Sequence, residues 1–403
     1  MTALDQSSLA TMYFIVSWKS DYAEHEEHYY AGGINMWRDI FPDVLREKLL
    51  RCRPGDEITH AFSPGDIPGV NDTPSPHLTI PLLQWQPPGN GSSWPPFVGR
   101  YYPQGFVRGI AGVYPQTLTP MRIVSADSQC FTVDCGHPLQ GKKLEVKIRL
   151  EEVSRPGKER GGRCSDWLAD ILENGPGMEG CIADNPIQFD RHWAYQRRDT
   201  AGDLEFYDQP RLVSHIDSQA DKLLAGAVRR FLSPGGRVLD LMASIDSHLP
   251  RDLGLEALGL GMNSREMAAN SALSEHLVHD LNEDPRLPFA DSLFDAVLCN
   301  LSYEYLTRPE QVLRETARVL KPSGTLLISF SNRWFPSKVT RLWTELHEFE
   351  RMGLVLQQCR ALYTDMTTLS YRNWPRPVDD RHYPALQTSD PIYVVTGRTR
   401  PGP

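Results

Sequence analysis

The chain has 403 residues, enough for two domains or more. Its 42 Lys and Arg against 51 Asp and Glu give a net charge of −9 without any basic run, which argues against a dedicated nucleic-acid binder. No apolar run reaches the ~18 residues of a membrane span. The start, MTALDQSSLATMYF, lacks a charged segment leading into an apolar core, so neither a membrane association nor a signal peptide is expected. The composition is that of an ordinary globular protein. Cys52, Cys130, Cys135, Cys164, Cys181, Cys299 and Cys359 are scattered and form no Cys-x-x-Cys pair. That usage fits a reducing cytoplasm and offers no metal-ligand spacing.

In chain order, TMYFIVSW predicts a strand. His25 and His28, set among Glu and Tyr, read as a solvated helix face rather than a ligand pair. INMWRDIFPDVLREKLLRCRPGDEITHAF predicts a helix, a turn at Arg53-Pro54-Gly55-Asp56, and a strand. Ser63 to Gly105 is rich in Pro and Gly and reads as loop. Pro120 to Val153 predicts three strands, and its LEVKIRLEEV run alternates apolar with charged residues in an antiparallel β pattern.

Within that stretch, VDCGHPLQGKKLEVKIRL is similar to the closing segment of the SlyD-type, FKBP-like prolyl isomerases. Their Asn-His-Pro-Leu-Ala-Gly-Lys motif is matched by Gly136-His137-Pro138-Leu139-Gln140-Gly141-Lys142. LREKLLRCRPGDEI resembles the helix and Gly-Asp turn of the same family. The resemblance implies a small α+β, largely antiparallel domain over residues 11–153. It also implies an aromatic proline pocket, for which Trp37, Phe41 and Tyr102 are the candidates. The family's histidine-rich metal-binding tail is missing. The expected role is substrate recognition or assembly, with a protein client as one partner.

Residues 154–205 read as a linker. RPGKERGGR is basic, glycine-rich and expected to be mobile. SDWLADILENGPGM predicts a short helix ended by Gly175-Pro176-Gly177. FYDQPRLVSHID leads into a helix that Asp217 can cap, with Leu223, Leu224, Ala227, Val228, Phe231 and Leu232 on one face. Ser233-Pro234-Gly235-Gly236 turns it into RVLDLMASIDSH, where Val238, Leu239 and Leu241 predict a strand buried on both faces. EALGLGM predicts a second strand, SREMAANSAL a short helix, and HLVHDLN a third strand ending at Asp280. FDAVLCNLSYEYL predicts a fourth, ending near Asn300. Thr307 is expected to cap the next helix, with Glu310 at capping-box spacing and Pro309 in the first turn. TLLISFSN predicts a fifth strand, ERMGLVLQQCRAL a helix and PIYVVTGR a closing strand. Such alternation argues for a parallel sheet covered by helices.

The order VLDL, LGLGMN, HDLNEDPRLPF, FDAVLC, a helix, then RVLKPSGTLLISF resembles a class I S-adenosylmethionine-dependent methyltransferase over residues 205 to 398. It is similar to a subgroup with DLM at the first strand and SNRWFP after the fifth. The resemblance implies a Rossmann-like, mostly parallel seven-stranded sheet in a domain over 206–403. It implies S-adenosylmethionine as cofactor and a small-molecule methyl acceptor, a protein being the lesser candidate.

The implied site follows strand by strand. Met242-Ala243-Ser244-Ile245-Asp246 stands where the family carries Gly-x-Gly, and Ala243 and Ser244 are small enough for the cofactor's methionine part to lie on them. Asp240 or Ser247 then faces its amino group. Met262 and Asn263 fall where an acid normally grips the ribose, and Asn263 can still hold one hydroxyl. Asp280 accepts from the adenine amino group, with Leu281 and Asn282 beside the ring. Asn300, Leu301 and Ser302 face the sulfur and the substrate. Glu304 and Tyr303 are candidate bases, and His248 is a proton acceptor or a core histidine. Tyr207, Pro210, Arg211 and His215 before the core, and Asn332, Arg333, Trp334 and Lys338 after the fifth strand, are expected on the substrate side. The alternative is an FKBP-like isomerase or chaperone fused to a methyltransferase fold that has lost its cofactor.

Overall fold

The computed structural model of the chain describes residues 3–67, 70, 77–87, 95–155, 161–173, 175–179, 187, 189 and 192–400. Cys181 and residues 156–160 of the RPGKERGGR stretch lie outside the described residues. The chain forms two compact units. Unit 1 holds Met1–Asp21, Tyr29–Asp190 and His347–Gly353, and unit 2 holds Tyr22–His28, Arg191–Leu346 and Leu354–Pro403.

Unit 1 begins with β1 (Leu9–Lys19) and the later part of β2 (Ala23–Asn35), whose first residues, up to His28, belong to unit 2. Then come α1 (Asp43–Leu49), β3 (Glu57–Phe62), β4 (Leu78–Pro81), β5 (Tyr101–Pro103), β6 (Pro120–Ala126), β7 (Cys130–Asp134), β8 (Leu144–Ser154) and α2 (Trp167–Leu172). Its main sheet runs β2-β1-β8-β3. Strict alternation in β1 turns Met12, Phe14, Val16 and Trp18 inward, with Val146, Ile148 and Leu150 of β8. α1 closes this core with Leu45 and Leu49, and α2 with Leu168, Ile171 and Leu172. A second sheet, β4-β7-β6-β5, has its own core around Trp85, Tyr102, Met121 and Phe131. The stretch expected to be loop thus contributes two short strands to it.

Unit 2 opens with α3 (Asp203–Tyr207), α4 (Ser218–Phe231), β9 (Arg237–Leu241), β10 (Glu256–Gly261) and α5 (Ser264–Ala269). β11 (Glu275–Val278), β12 (Phe294–Asn300), α6 (Pro309–Val319), β13 (Leu320–Phe330) and α7 (Arg341–Glu345) follow. The second half of α8 (Glu348–Cys359), from Leu354 on, with β14 (Tyr363–Arg372) and β15 (Ile392–Thr399), completes it. The strand order is β11-β10-β9-β12-β13-β15-β14. The first five strands are parallel, and β15 runs antiparallel to both β13 and β14, so the sheet is mixed. Leu224 and Val228 of α4 pack on Val238, Leu298, Leu327 and Val394 of the strands. Asp217 caps α4 by accepting from the amides of Gln219 and Ala220.

Two local expectations are corrected. His25 and His28 belong to strand β2 and are buried, not exposed on a helix. His25 bonds the Thr368 hydroxyl at 2.8 Å, and His28 stacks on Tyr371 at 4.5 Å. Polar partners distant in sequence satisfy a strand that reads as surface. Thr307 does not cap α6, because its amide and hydroxyl both donate to Asn282 Oδ1. Arg308 takes the cap position without a side-chain bond, and Pro309 starts the helix. Among the described residues, no helix is long and apolar enough to cross a membrane.

Candidate active site

A cavity in unit 2 opens over the carboxyl ends of β9, β10, β11 and β12, where open α/β sheets bind ligands. Its floor starts with Asp240 in β9. This carboxyl is buried, hydrogen-bonded by Ser247, and has one oxygen, Oδ2, without a partner among the described residues. Burial pushes it up to about 7, against the opposing pull of Ser247 and His248.

The loop after β9 keeps a glycine-like path without glycine. Met242 sits in the left-handed region at φ 57, which costs a residue with a β-carbon roughly 1 kcal/mol. The next amide, of Ala243, donates to Leu260 O at 2.9 Å. The glycine that makes this possible lies on the neighbouring strand: a β-carbon on Gly261 would stand 2.1 Å from Ala243 O. Ser244 Oγ donates to Glu266 Oε2 at 2.6 Å, and Asn270 Nδ2 donates to Ser244 O and Ser247 Oγ. Met242, Ala243, Ser244 and His248 line the cavity and leave it open; Ile245 and Ser247 are not part of the lining.

His248 is buried, with Nδ1 2.6 Å from Asp221 Oδ1. Burial opposes its charged form, but the bond to Asp221 and the charges of Asp246, Asp221 and Asp240 outweigh burial and hold it above its usual range. Asp221, Asp246 and His248 also bring ligand-type atoms within 4.8 Å of one another. The 2.6 Å contact is the geometry of an imidazole N–H donating to a carboxylate.

At the end of β10, Asn263 caps α5: Oδ1 accepts from the amides of Arg265 and Glu266. Its Nδ2 donates to the carbonyls of Tyr207 and Asp208, so all four hydrogen-bonding positions are used. Met262 and Asn263 line the cavity beside Glu266. At the end of β11, Asp280 Oδ1 accepts from the amides of Asn282 and Glu283, forming a tight turn, and Leu281 is buried. Asn282 Nδ2 donates to Asp203 Oδ2 and Tyr305 O. Asp280, Leu281 and Asn282 all line the cavity.

At the end of β12, Asn300 accepts from Ser329 Oγ at 2.7 Å and donates to Ser247 O. Leu301, at φ 53, and Ser302 continue the lining. Tyr303 and Glu304 are buried outside it, and the Tyr303 hydroxyl donates to Gln358. Tyr305 is in the lining, its hydroxyl accepting from the Phe335 amide.

On the remaining side stand Tyr207, Arg211, His215, Arg333 and Trp334; Asn332 is outside the lining. Lys338 is fully buried and bound to Asp199, Asp203 and Ala201 O, so it holds the scaffold. The lining also contains Asp246 of the first loop and Phe335 of SNRWFP, to which the sequence assigned no role, and Glu266 and Arg381, which sequence reasoning passed over. Glu266 carried a signal, being three residues after the cap Asn263, but its carboxylate turns to Ser244 and the Arg211 amide instead of back to the cap. Arg381 lies between β14 and β15, where no motif marks it.

Residues 251–328 match the family model described as a methyltransferase domain. Curated relatives include Methyltransferase GfsG of Streptomyces halstedii, 25% identical over 134 residues, covering 31% of this chain and 48% of that protein. The ubiquinone/menaquinone biosynthesis C-methyltransferase UbiE of Roseobacter denitrificans is 30% identical over 118 residues, covering 28% and 46%. The chain therefore spans about half the length of these relatives. A solved SAM-dependent methyltransferase of Thermotoga maritima aligns over 45% of this chain and 90% of its own, at 17% identity and TM-score 0.34. Residues 251–328, the part of the chain similar to a methyltransferase domain, lie within unit 2.

Proposed function

We propose that unit 2 transfers a methyl group from S-adenosylmethionine to a small-molecule nucleophile. The observation that carries this reading is the open cavity above Gly261, where a loop without its customary glycines keeps their backbone path. The residues fit the cofactor's charge. Asp240 has an unpartnered buried oxygen suited to the amino group, and Asp280, in the lining, would accept from the adenine amino group. Asn263 shapes the ribose end through the bonds it makes to α5 and to Tyr207. Asn300 fixes the floor, with Leu301 and Ser302 facing the reacting end. When bound, S-adenosylmethionine supplies an electrophilic methyl group on a sulfonium sulfur.

Of the candidate bases, His248 is the one in the lining, so we assign it the proton of a protonated acceptor. Asp221 accepts from Nδ1–H and so leaves Nε2 as the proton-accepting atom. Unit 1 is proposed to be FKBP-like and to aid recognition or assembly. This is supported by α1 against the four-stranded sheet, by a second sheet inserted between β3 and β8, and by GHPLQGK entering β8.

The test is S-adenosylhomocysteine formation against a panel of small acceptors between pH 6 and pH 9. A base acts only when neutral, so turnover should rise as pH climbs through the raised value of His248. His248→Gln should lower kcat by about 10²–10⁴-fold and flatten that rise. An unchanged profile in the variant would remove His248 from the chemistry.

A further inference from the structure

The cavity is lined by both carboxylates and guanidiniums. The lining carboxylates Asp240, Asp246, Glu266 and Asp280 come from β9 and the segments after β9, β10 and β11. The lining guanidiniums, Arg211, Arg333 and Arg381, come from the segment before α4, the loop after β13 and the stretch between β14 and β15. The lining carboxylate nearest in sequence to the basic side, Asp203, is already held by Arg197 at 2.8 Å and Lys338 at 3.2 Å.

Of the three arginines, Arg381 is exposed and Arg333 half-buried, and neither has a close carboxylate partner of its own. Arg333 Nη2 and Arg381 Nε both lie 3.1 Å from one atom, His382 Nε2. Two guanidinium groups thus converge on a single ring nitrogen. Arg333 reaches a carboxylate only at 3.4 Å, and that group, Asp390, is engaged more closely by Arg376 at 2.6 Å and by the Asp217 amide. Arg211 lies over the rings of Phe206 at 4.6 Å and Phe335 at 5.1 Å. Its buried Nη1 has no partner among the described residues. Burial keeps the neighbouring His215 below its usual range despite Glu266, so it adds no further positive charge.

We infer that the methyl acceptor carries an oxyanionic group, a carboxylate or a phosphate, and that Arg333 and Arg381 bind it with Arg211 Nη1 behind them. The inference rests on the methyl-transfer reading of the same cavity. Guanidinium groups pair with either oxyanion through two N–H donors, and a partly buried site strengthens the pairing. Trp334 beside them gives the rest of the acceptor an aromatic wall.

The test titrates the full chain, saturated with S-adenosylhomocysteine, with benzoate, phenyl phosphate and neutral benzamide, read by calorimetry. One of the two anions should bind saturably and benzamide should not; which anion binds tells carboxylate from phosphate. Arg333→Gln and Arg381→Gln should each weaken that anion by about tenfold or more. Both should leave the S-adenosylhomocysteine affinity within about twofold, and Arg333→Lys should recover part of the loss. Equal binding of benzamide would overturn the proposal. So would an equal loss of S-adenosylhomocysteine binding in the variants, which would assign the arginines to the cofactor's own carboxylate. Failure of the wild type to bind S-adenosylhomocysteine while benzoate still binds would instead defeat the methyl-transfer reading alone.

Discussion

Asp240→Asn is expected to make the protein more stable at pH 8 and, at the same time, a weaker binder of S-adenosylmethionine. The carboxyl is 2% exposed, and burial lifts it from 3.8 to about 7. A folded-state value above the unfolded one means that folding favours the protonated form. Stability from this group is therefore complete below the unfolded value and is lost as pH rises through about 7. The shift corresponds to a penalty on the order of 2–4 kcal/mol above pH 7. Asparagine keeps the shape and the bond to Ser247 but carries no charge, so the penalty disappears. Urea unfolding should show the gain at pH 8 and almost none near pH 4.

Such a penalty suits the proposed binding of a cation. The cofactor's ammonium would restore the ionised form, so wild-type affinity should fall as pH drops through about 7. The variant should bind at least tenfold more weakly at pH 8 and lose that pH dependence, because a charge-assisted bond is worth roughly 1.5–3 kcal/mol. Unchanged stability at pH 8, or unchanged affinity, would remove Asp240 from the cofactor's contacts.

Gly261→Ala should do the reverse, costing both stability and binding. The added carbon would meet Ala243 O at 2.1 Å and Met267 Sδ at 3.1 Å. The carbonyl cannot retreat while the Ala243 amide stays bonded to Leu260 O. Either the end of β10 or the loop must give way, at about 2–4 kcal/mol. Cofactor affinity should fall by about a hundredfold or more, since the loop is the floor of its site. Gly226→Ala is the control. It lies in α4 with nothing within 4 Å of its added carbon and should stabilise the helix by about 0.5–1 kcal/mol. Equal losses in the two variants would show that the close approach to Ala243 is unimportant.

These two residues mark where sequence reading works and where it stops. The order β9, β10, α5, β11, β12, α6, β13 is legible because short apolar runs alternate with one-sided helices, a local pattern. The glycine loop misleads, because its compensation lies on another strand: Gly261 frees the space that Met242 and Ala243 need. Asn263 shows the same limit, since its type suits a ribose hydroxyl or a helix cap, and only the fold shows its bonds to α5 and Tyr207. Strand β2 is unreadable for a related reason. The buried Glu27 is satisfied by Ser370 and Arg372, far away in sequence. Glu304 and Tyr303 follow β12 as expected, but the tight turn there directs them away from the cavity lining and leaves Tyr305 in it.

The proposed occupant of the hollow above Gly261 is a sulfonium nucleoside. Calorimetric titration of the whole chain with S-adenosylhomocysteine tests it most directly, alongside Asp280→Ala. One molecule should bind per chain, and Asp280→Ala should weaken it by about tenfold or more through the lost adenine contact. No binding by the wild type would contradict the account, and so would binding that Asp280→Ala leaves unaltered.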